Sequence, residues 1–376
     1  MTTDLARAAA LAALLVLGHA VPASAQQKNV NERLQKLFDP KVIGAEATLQ
    51  GEYRGKAGTK TFAAQVVARG DRRFHALVFP GGLPGDGWDG STYAFLESAA
   101  LADGVASFRS LGKDDLSASL GDSGFALTTK DDGKVTLAKV SRKSPTLGQA
   151  APEGAVILFD GKNLSAFQEK STMEPGAAPT LFDGSLLAGA ETKQSFKDYR
   201  LHLDFMHGFE PENIPWRRAD SGVYLHQRYE VAIGDSFGFD FDLTGTAGPI
   251  APTFFAERLL KGEKFAVFKG AKSTTPPVMC GSIFRSSPKV PNYCFPPLTW
   301  QTLDIEFRAP RFDPSGKKTD PAVVSVKLNG LVVVDKQKVN GPTAHGAKGD
   351  VAEAPIWLQG YQRTVLFRNV WLVESK

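Results

Sequence analysis

The sequence predicts an all-β protein: two packed antiparallel sheets in the C-terminal part, preceded by a small β-rich domain. Three observations carry this. The periodic stretches are short and alternate apolar with polar residues. Glycine (37) and proline (23) are plentiful, as many turns require. No strand–helix alternation of the kind that builds a parallel sheet recurs along the 376 residues. Hydrophobic residues make up 42% and charged residues 22%, enough to bury a core without metals or disulfides. The formal net charge is only +4, and no basic run or basic–aromatic stripe occurs. Nucleic acid is therefore not an expected partner.

Taken in order, residues 1–25 read as an export signal. Arg7 precedes the apolar run Ala8–Leu17, and Ala23-Ser24-Ala25 after Pro22 form a small-residue site, with cleavage expected before Gln26. The run is shorter than the ~20 residues a membrane span needs; an uncleaved anchor is the alternative. No later segment reaches that length, and no cysteine follows the cleavage site to carry a lipid. The mature chain is expected in the periplasm or secreted, without membrane insertion. Residues 26–40 form a lead-in, with Val30, Leu34, Leu37 and Phe38 on one helical face. Residues 41–145 read as the small β-rich domain, with strands beginning at Ala45, Thr61 and Phe74. Its stretch Gly81–Gly90 is a turn-rich loop, because no helix follows and no Gly-Lys-Ser/Thr ending occurs. Residues 146–154 form a linker.

The second domain spans 155–376. Strand patterns cover Tyr199–Met206, Gly222–Leu225, Tyr229–Ile233, Leu303–Phe307, Ala322–Leu328, Leu331–Val334, Ile356–Leu358 and Val365–Val373. Asn329-Gly330 between two of them is a strong hairpin signal. The segment from Asp240 to Val278 lacks this rhythm and reads as a long excursion, with a short helix at Phe254–Leu260.

The chemistry concentrates in residues 217–235. Residues two apart along a strand share a face. Asp220, Gly222, Tyr224 and His226 then fall together, and the next strand adds Glu230. Carboxylates, an imidazole and an aromatic ring are the groups that grip a sugar and move protons. A solvated outer face is the other reading of the same pattern. Trp216 and Trp300 are candidates for stacking on sugar rings, or for the core. Asp204 and His207 have no fixed spacing to this cluster, and His345 lies in a Gly-rich loop. No serine-nucleophile motif, HExxH or EF-hand loop is present. The two cysteines, Cys280 and Cys294, are expected to pair in an oxidising compartment, closing a loop worth about 3 kcal/mol. Two buried thiols are the alternative. Metal binding by these two alone lacks a CxxC or a nearby histidine pair.

A series of short motifs then occurs in fixed order: Ile157-Leu-Phe-Asp-Gly-Lys-Asn-Leu, Asp220-Ser-Gly-Val-Tyr-Leu, Tyr229-Glu-Val, Gly281-Ser-Ile-Phe, Trp300-Gln-Thr-Leu-Asp-Ile, Leu328-Asn-Gly, Leu358-Gln-Gly and Leu366-Phe-Arg-Asn-Val. Over about residues 155–374 the sequence resembles the 3-keto-disaccharide hydrolase domain family. The resemblance implies a jelly-roll sandwich of the concanavalin A kind. It also implies a hydrolase or lyase whose substrate is a sugar oxidised at carbon 3. The ketone acidifies the hydrogen on carbon 2; a base removes it, the aglycone leaves carbon 1, and water can add back. That route differs from the two-carboxylate displacement of ordinary glycosidases.

On this resemblance Glu230 takes the Tyr-Glu-Val position as first choice for base or sugar ligand. Asp220 stands where Asn is usual, and Asp235 matches an acidic position. His226 or Arg228 would stabilise the enolate oxygen. Gln359 and Tyr361 fall near the family's Leu-Gln position, and together with Arg228 and the pattern candidates Tyr224 and Trp216 they are expected to contact substrate. Arg368 and Asn369 read as a pair fixing the last strand, with a substrate role as the alternative. Ala232 and Tyr361 depart from the family's usual Gln and His, as does the Asp240–Val278 insertion. The sequence requires no cofactor and admits a divalent metal at the carboxylates. A non-catalytic carbohydrate-binding sandwich is the second reading, since this kind of fold hosts both.

Overall fold

The chain runs from short helices into a barrel and then into a sandwich. The computed structural model describes residues 23–110, 116–169, 178–213, 217–239, 278–288 and 290–375. Most of the expected export signal, Trp216, and the excursion over 240–277 with its expected short helix lie outside the described residues. Helix α1 (Ala23–Phe38) matches the lead-in periodicity. Its Leu34 and Phe38 bury against Leu187 and Leu366, and the Phe209 N–H donates to the Leu37 carbonyl at 2.8 Å. Asp39 caps α2 (Pro40–Ile43) by accepting the Lys41 N–H, and Pro40 sits where no donor is needed.

Helix α3 (Ala45–Leu49) stands where the sequence reading expects a strand. Ala, Glu and Leu are strong helix formers, and five residues of alternation do not separate the two periods. The short helix buries Leu49, whose carbonyl accepts the Tyr53 hydroxyl at 2.6 Å.

Eight antiparallel strands follow: β1 (Gly51–Ala57), β2 (Lys60–Ala68), β3 (Phe74–Pro80), β4 (Ala94–Ser98), β5 (Ala106–Ser110), β6 (Ser117–Gly121), β7 (Gly124–Thr129) and β8 (Gly133–Val140). Each pairs with the next, and β1 pairs with β8, so the small domain is a closed barrel. Closure removes exposed edges. Tyr53, Phe74, Phe108 and Phe125 fill the interior, each contributing roughly 1.5–3 kcal/mol by burial.

The remaining strands build two facing sheets and a small ribbon. The back sheet contains β9 (Val156–Phe159), β11 (Thr180–Phe182), β12 (Ser185–Leu187), β14 (Tyr199–His207), β17 (Gln301–Arg308), β20 (Ala322–Leu328), β21 (Leu331–Val339) and β23 (Val365–Glu374). The front sheet has the order β10 (Phe167–Glu169), β13 (Ala190–Thr192), β22 (Trp357–Leu358), β15 (Gly222–Leu225), β16 (Tyr229–Ala232). β18 (Arg311–Phe312) and β19 (Lys318–Asp320) form the ribbon. Between the sheets, Val223, Leu225, Val231 and Leu358 of the front pack with Leu203, Phe205, Ile305 and Phe367 of the back. This is a β-sandwich of the jelly-roll type, in agreement with the sequence. Asn329 (φ 52°) and Gly330 (φ 79°) both adopt positive φ between β20 and β21, as a two-residue hairpin turn demands.

The barrel and linker dock on the sandwich. The His75 ring nitrogen Nε2 meets the Gly238 carbonyl at 3.0 Å, and the Arg142 guanidinium lies 4.8 Å over the Phe295 ring. The linker lies along the outer face of the back sheet. The Ser144 hydroxyl meets that of Thr302 at 2.6 Å, Gly148 N–H donates to Asp204, and the Gln149 carbonyl accepts from Asn369 Nδ2 and Trp371 Nε1.

Candidate active site

The hairpin β15–β16 organises the site. Its register pairs Gly222 with Ala232 and Tyr224 with Glu230, and paired residues point to the same side of a sheet. Neighbouring strands extend the second pair into a row, through Trp357 and Glu191 to Gln168. Gln359 joins the first pair, its N–H donating to the Gly222 carbonyl at 2.8 Å. Val223, Leu225, Tyr229 and Val231 take the opposite face, in the core. The polar face of the front sheet therefore carries Gly222, Tyr224, Glu230, Ala232, Trp357 and Gln359 together.

Glu230 is 2% exposed. The Tyr224 hydroxyl donates to its Oε2 at 2.7 Å, and its backbone N–H donates to Thr343 Oγ1 at 3.0 Å. Burial, assisted by the charge of Asp220 and opposed by the Tyr224 hydrogen bond, pushes the Glu230 carboxyl up to about 8. Burial also raises half-buried Asp220, to about 6, with Arg217 opposing. Gly222 leaves room for the glutamate: a Cβ there would stand 2.7 Å from Glu230 Cγ and 2.8 Å from Oε1. The Tyr224 ring packs 4.6 Å from Trp357. On the far side of β16, Ile283 bridges Val231 and the Phe284 N–H donates to the Glu230 carbonyl. This brings in Arg285, whose charge favours the Glu230 carboxylate. The loop at Thr343–His345 closes that flank: the Tyr224 hydroxyl lies 3.3 Å from the Ala344 carbonyl, and the exposed His345 ring meets Phe284 edge-on.

Several sequence candidates lie elsewhere. His226 is expected beside Tyr224, but β15 ends at Leu225 and His226 turns with φ 52°. Its ring rolls into the core against Phe307, Nε2 meets the Lys197 carbonyl at 3.1 Å, and burial lowers it to about 4. Strand alternation fails where the strand stops. Arg228 bonds the carbonyls of His226 and Gly349, tying the turn to the loop. Neither ring nor guanidinium is bonded to Glu230; among the described residues Arg285 is the cation whose charge acts on Glu230, and the tertiary pairing of Ile283 with Val231 brings it there.

Asp235 is buried in an ion pair with Arg218, Nε to Oδ2 at 2.8 Å, behind the hairpin. Tyr361 is half-buried in the turn after β22. Asp204, Trp300, Arg368 and Asn369 belong to the back sheet. Arg368 bonds Asp204 at 3.3 Å and lies 3.8 Å over Trp300, and Asn369 binds the linker.

The disulfide expected between Cys280 and Cys294 is absent. Both are buried free thiols. Cys294 Sγ is held by the Phe295 carbonyl at 3.4 Å and by His207 Nδ1 at 3.9 Å.

The fold and the site define an antiparallel β-sandwich whose one hairpin carries two carboxyls, Asp220 and Glu230, raised by burial. Residues 154–373 match the family described as the 3-keto-alpha-glucoside-1,2-lyase-like domain, and the chain belongs to that family. It is a carbohydrate-acting protein of the enzyme kind. Among solved structures, the chain is similar to one from Parabacteroides distasonis ATCC 8503, provisionally described as a glycosyl hydrolase. The two share 26% identity at a TM-score of 0.44, over 60% of this chain and 85% of that one. No curated protein matches.

Proposed function

We propose that the chain is an exported hydrolase or lyase that cleaves 3-keto-glycosides by elimination. The observation that carries this reading is the pair of carboxyls on the family domain, Asp220 at about 6 and Glu230 at about 8. Two carboxyls whose environments separate their pKa values divide acid and base roles between them. Near pH 7 Asp220 is the ionised, half-buried member and takes the proton from carbon 2. The electron pair moves into the enolate of the 3-ketone, and its collapse expels the aglycone from carbon 1. Glu230, protonated and held by Tyr224, supplies the proton to the leaving oxygen. Water added to the resulting double bond completes net hydrolysis. The assignment reverses the order that the Tyr-Glu-Val motif suggests, because Glu230 is the more deeply buried group. Arg285, on the Glu230 flank, is the cation available to the developing oxyanion. Export rests on the pattern of residues 1–25.

The test is release of a chromogenic aglycone from a 3-keto-glucoside beside the unoxidised glucoside. Release from the keto form alone supports elimination; release from both points to ordinary glycosidase chemistry. The second reading is a sugar-binding sandwich, favoured by Ala232 on the site face, one of the departures from the family pattern. Sugar binding without release from either substrate selects it.

A further inference from the structure

Behind the hairpin, on the core side, three metal-ligating residues meet. Ligand atoms of His207, Asp235 and Cys294 all lie within 4.8 Å of one another, and all three residues are buried. Cys280, also a buried free thiol, lies on the segment beside β16 and outside this group of three, and is the sulfur available to complete it. The imidazole is oriented as a ligand: Nε2 faces the Ile233 carbonyl, which leaves Nδ1 aimed at Cys294 Sγ, 3.9 Å away. A ligating histidine almost always gives its other nitrogen to such a partner. The remaining contact of Nδ1, to Gln301 Nε2, is long at 3.3 Å and easily displaced.

We propose that His207, Asp235, Cys294 and Cys280 form a structural zinc(II) site. The donor set of imidazole, carboxylate and thiolates suits zinc. Tetrahedral zinc sets such donors roughly 3.3–3.8 Å apart, so His207, Asp235 and Cys294, within 4.8 Å of one another, would draw in by about 1 Å, with Cys280 closing in as the fourth donor. Charge balances as well: zinc and the Arg218 guanidinium, already paired with Asp235, offset the two thiolates and the carboxylate. An isolated set of buried anions would otherwise be costly.

The site would join parts of the chain far apart in sequence. His207 ends β14, Asp235 follows β16, and Cys280 begins the segment that runs beside β16. There the Gly281 N–H donates to the Ala232 carbonyl at 2.7 Å, leading to Phe284 and Arg285. The proposal does not depend on the assignment of acid and base. In the sequence the cysteines lack a partner pair; folding supplies His207 and Asp235.

The test is metal content of the full chain, purified under reducing conditions with zinc supplied. Mass spectrometry of the metal, alkylation of thiols before and after a strong chelator, and thermal melting are read together. About one zinc per chain, thiols protected until chelation, and a melting temperature that falls with chelation are expected. Cys294→Ser and His207→Gln should each lose the metal. Because either variant could fold poorly, the wild-type measurements decide independently. Free thiols without zinc, a Cys280–Cys294 disulfide, or zinc that both variants retain would each overturn the proposal.

Discussion

At the scale of single residues, the site turns on how deeply each carboxyl is buried. Glu230→Gln removes the acid, so cleavage of a substrate with a poor alcohol leaving group should fall by about 10²–10⁴-fold. A nitrophenyl aglycone, which leaves without help, should be affected far less. Asp220→Asn should depress both substrates alike. The kinetics of each variant on the two substrates check this, and equal losses for Glu230→Gln would sink the assignment. Gly222→Ala is a steric probe of the same site. Its Cβ would press on the Glu230 carboxyl, so kcat/KM should drop on the order of tenfold or more with the circular dichroism spectrum unchanged. Unaltered activity would show that the position of Glu230 does not matter.

At the scale of elements, hairpins hold the sandwich in register. Asn329 adopts positive φ at the β20–β21 turn and ties three segments together. It accepts the Thr302 N–H at 3.1 Å and donates to the Tyr293 carbonyl at 3.0 Å and to Gln301 at 3.1 Å. Asn329→Ala loses these bonds and strains the turn, for an expected loss of about 2–4 kcal/mol by denaturant titration. Asn329→Gly, which relieves the strain but not the lost bonds, should recover only part of it. The Asn329-Gly330 turn was legible in the sequence because both positions need the left-handed region. Helix α3 was not, because its five residues satisfy either period. His226 was misplaced for a related reason: alternation holds along β15 but ends at Leu225.

At the scale of the whole molecule, groups raised by the fold, Glu230, Asp220 and His202 among them, make stability depend on pH. Burial raises Glu230 and Asp220. For His202, burial opposes, but hydrogen bonds to Asp204 and Asp304 outweigh it and bring the ring to about 9. A group raised in the fold contributes fully below its unfolded pKa and loses that contribution as pH climbs through its folded value. Between pH 6.5 and 9 the melting temperature should therefore fall, through Glu230 at about 8 and His202 at about 9. Below pH 6.5, His75 and His226, kept neutral by burial, work in the opposite direction. Glu230→Gln and His202→Gln should each flatten the alkaline slope in melting curves recorded across this range. A slope unchanged in both would show that other groups control it.

The amino-acid sequence by itself determined the all-β class, most sandwich strands, the β15–β16 hairpin and the motif order that marks the family. These follow from periodicity, turn chemistry and order along the chain, which are local properties. Tertiary structure decided which polar residues meet beyond the Tyr224–Glu230 pair of the hairpin. The approach of Ile283 to Val231 put Arg285 beside Glu230. The end of β15 sent His226 into the core. The packing of β14 behind the hairpin brought His207 to Cys294 and Asp235. Such meetings depend on sheet pairing between distant segments, and burial after pairing sets each carboxyl's proton affinity. Spacing along the chain carries neither.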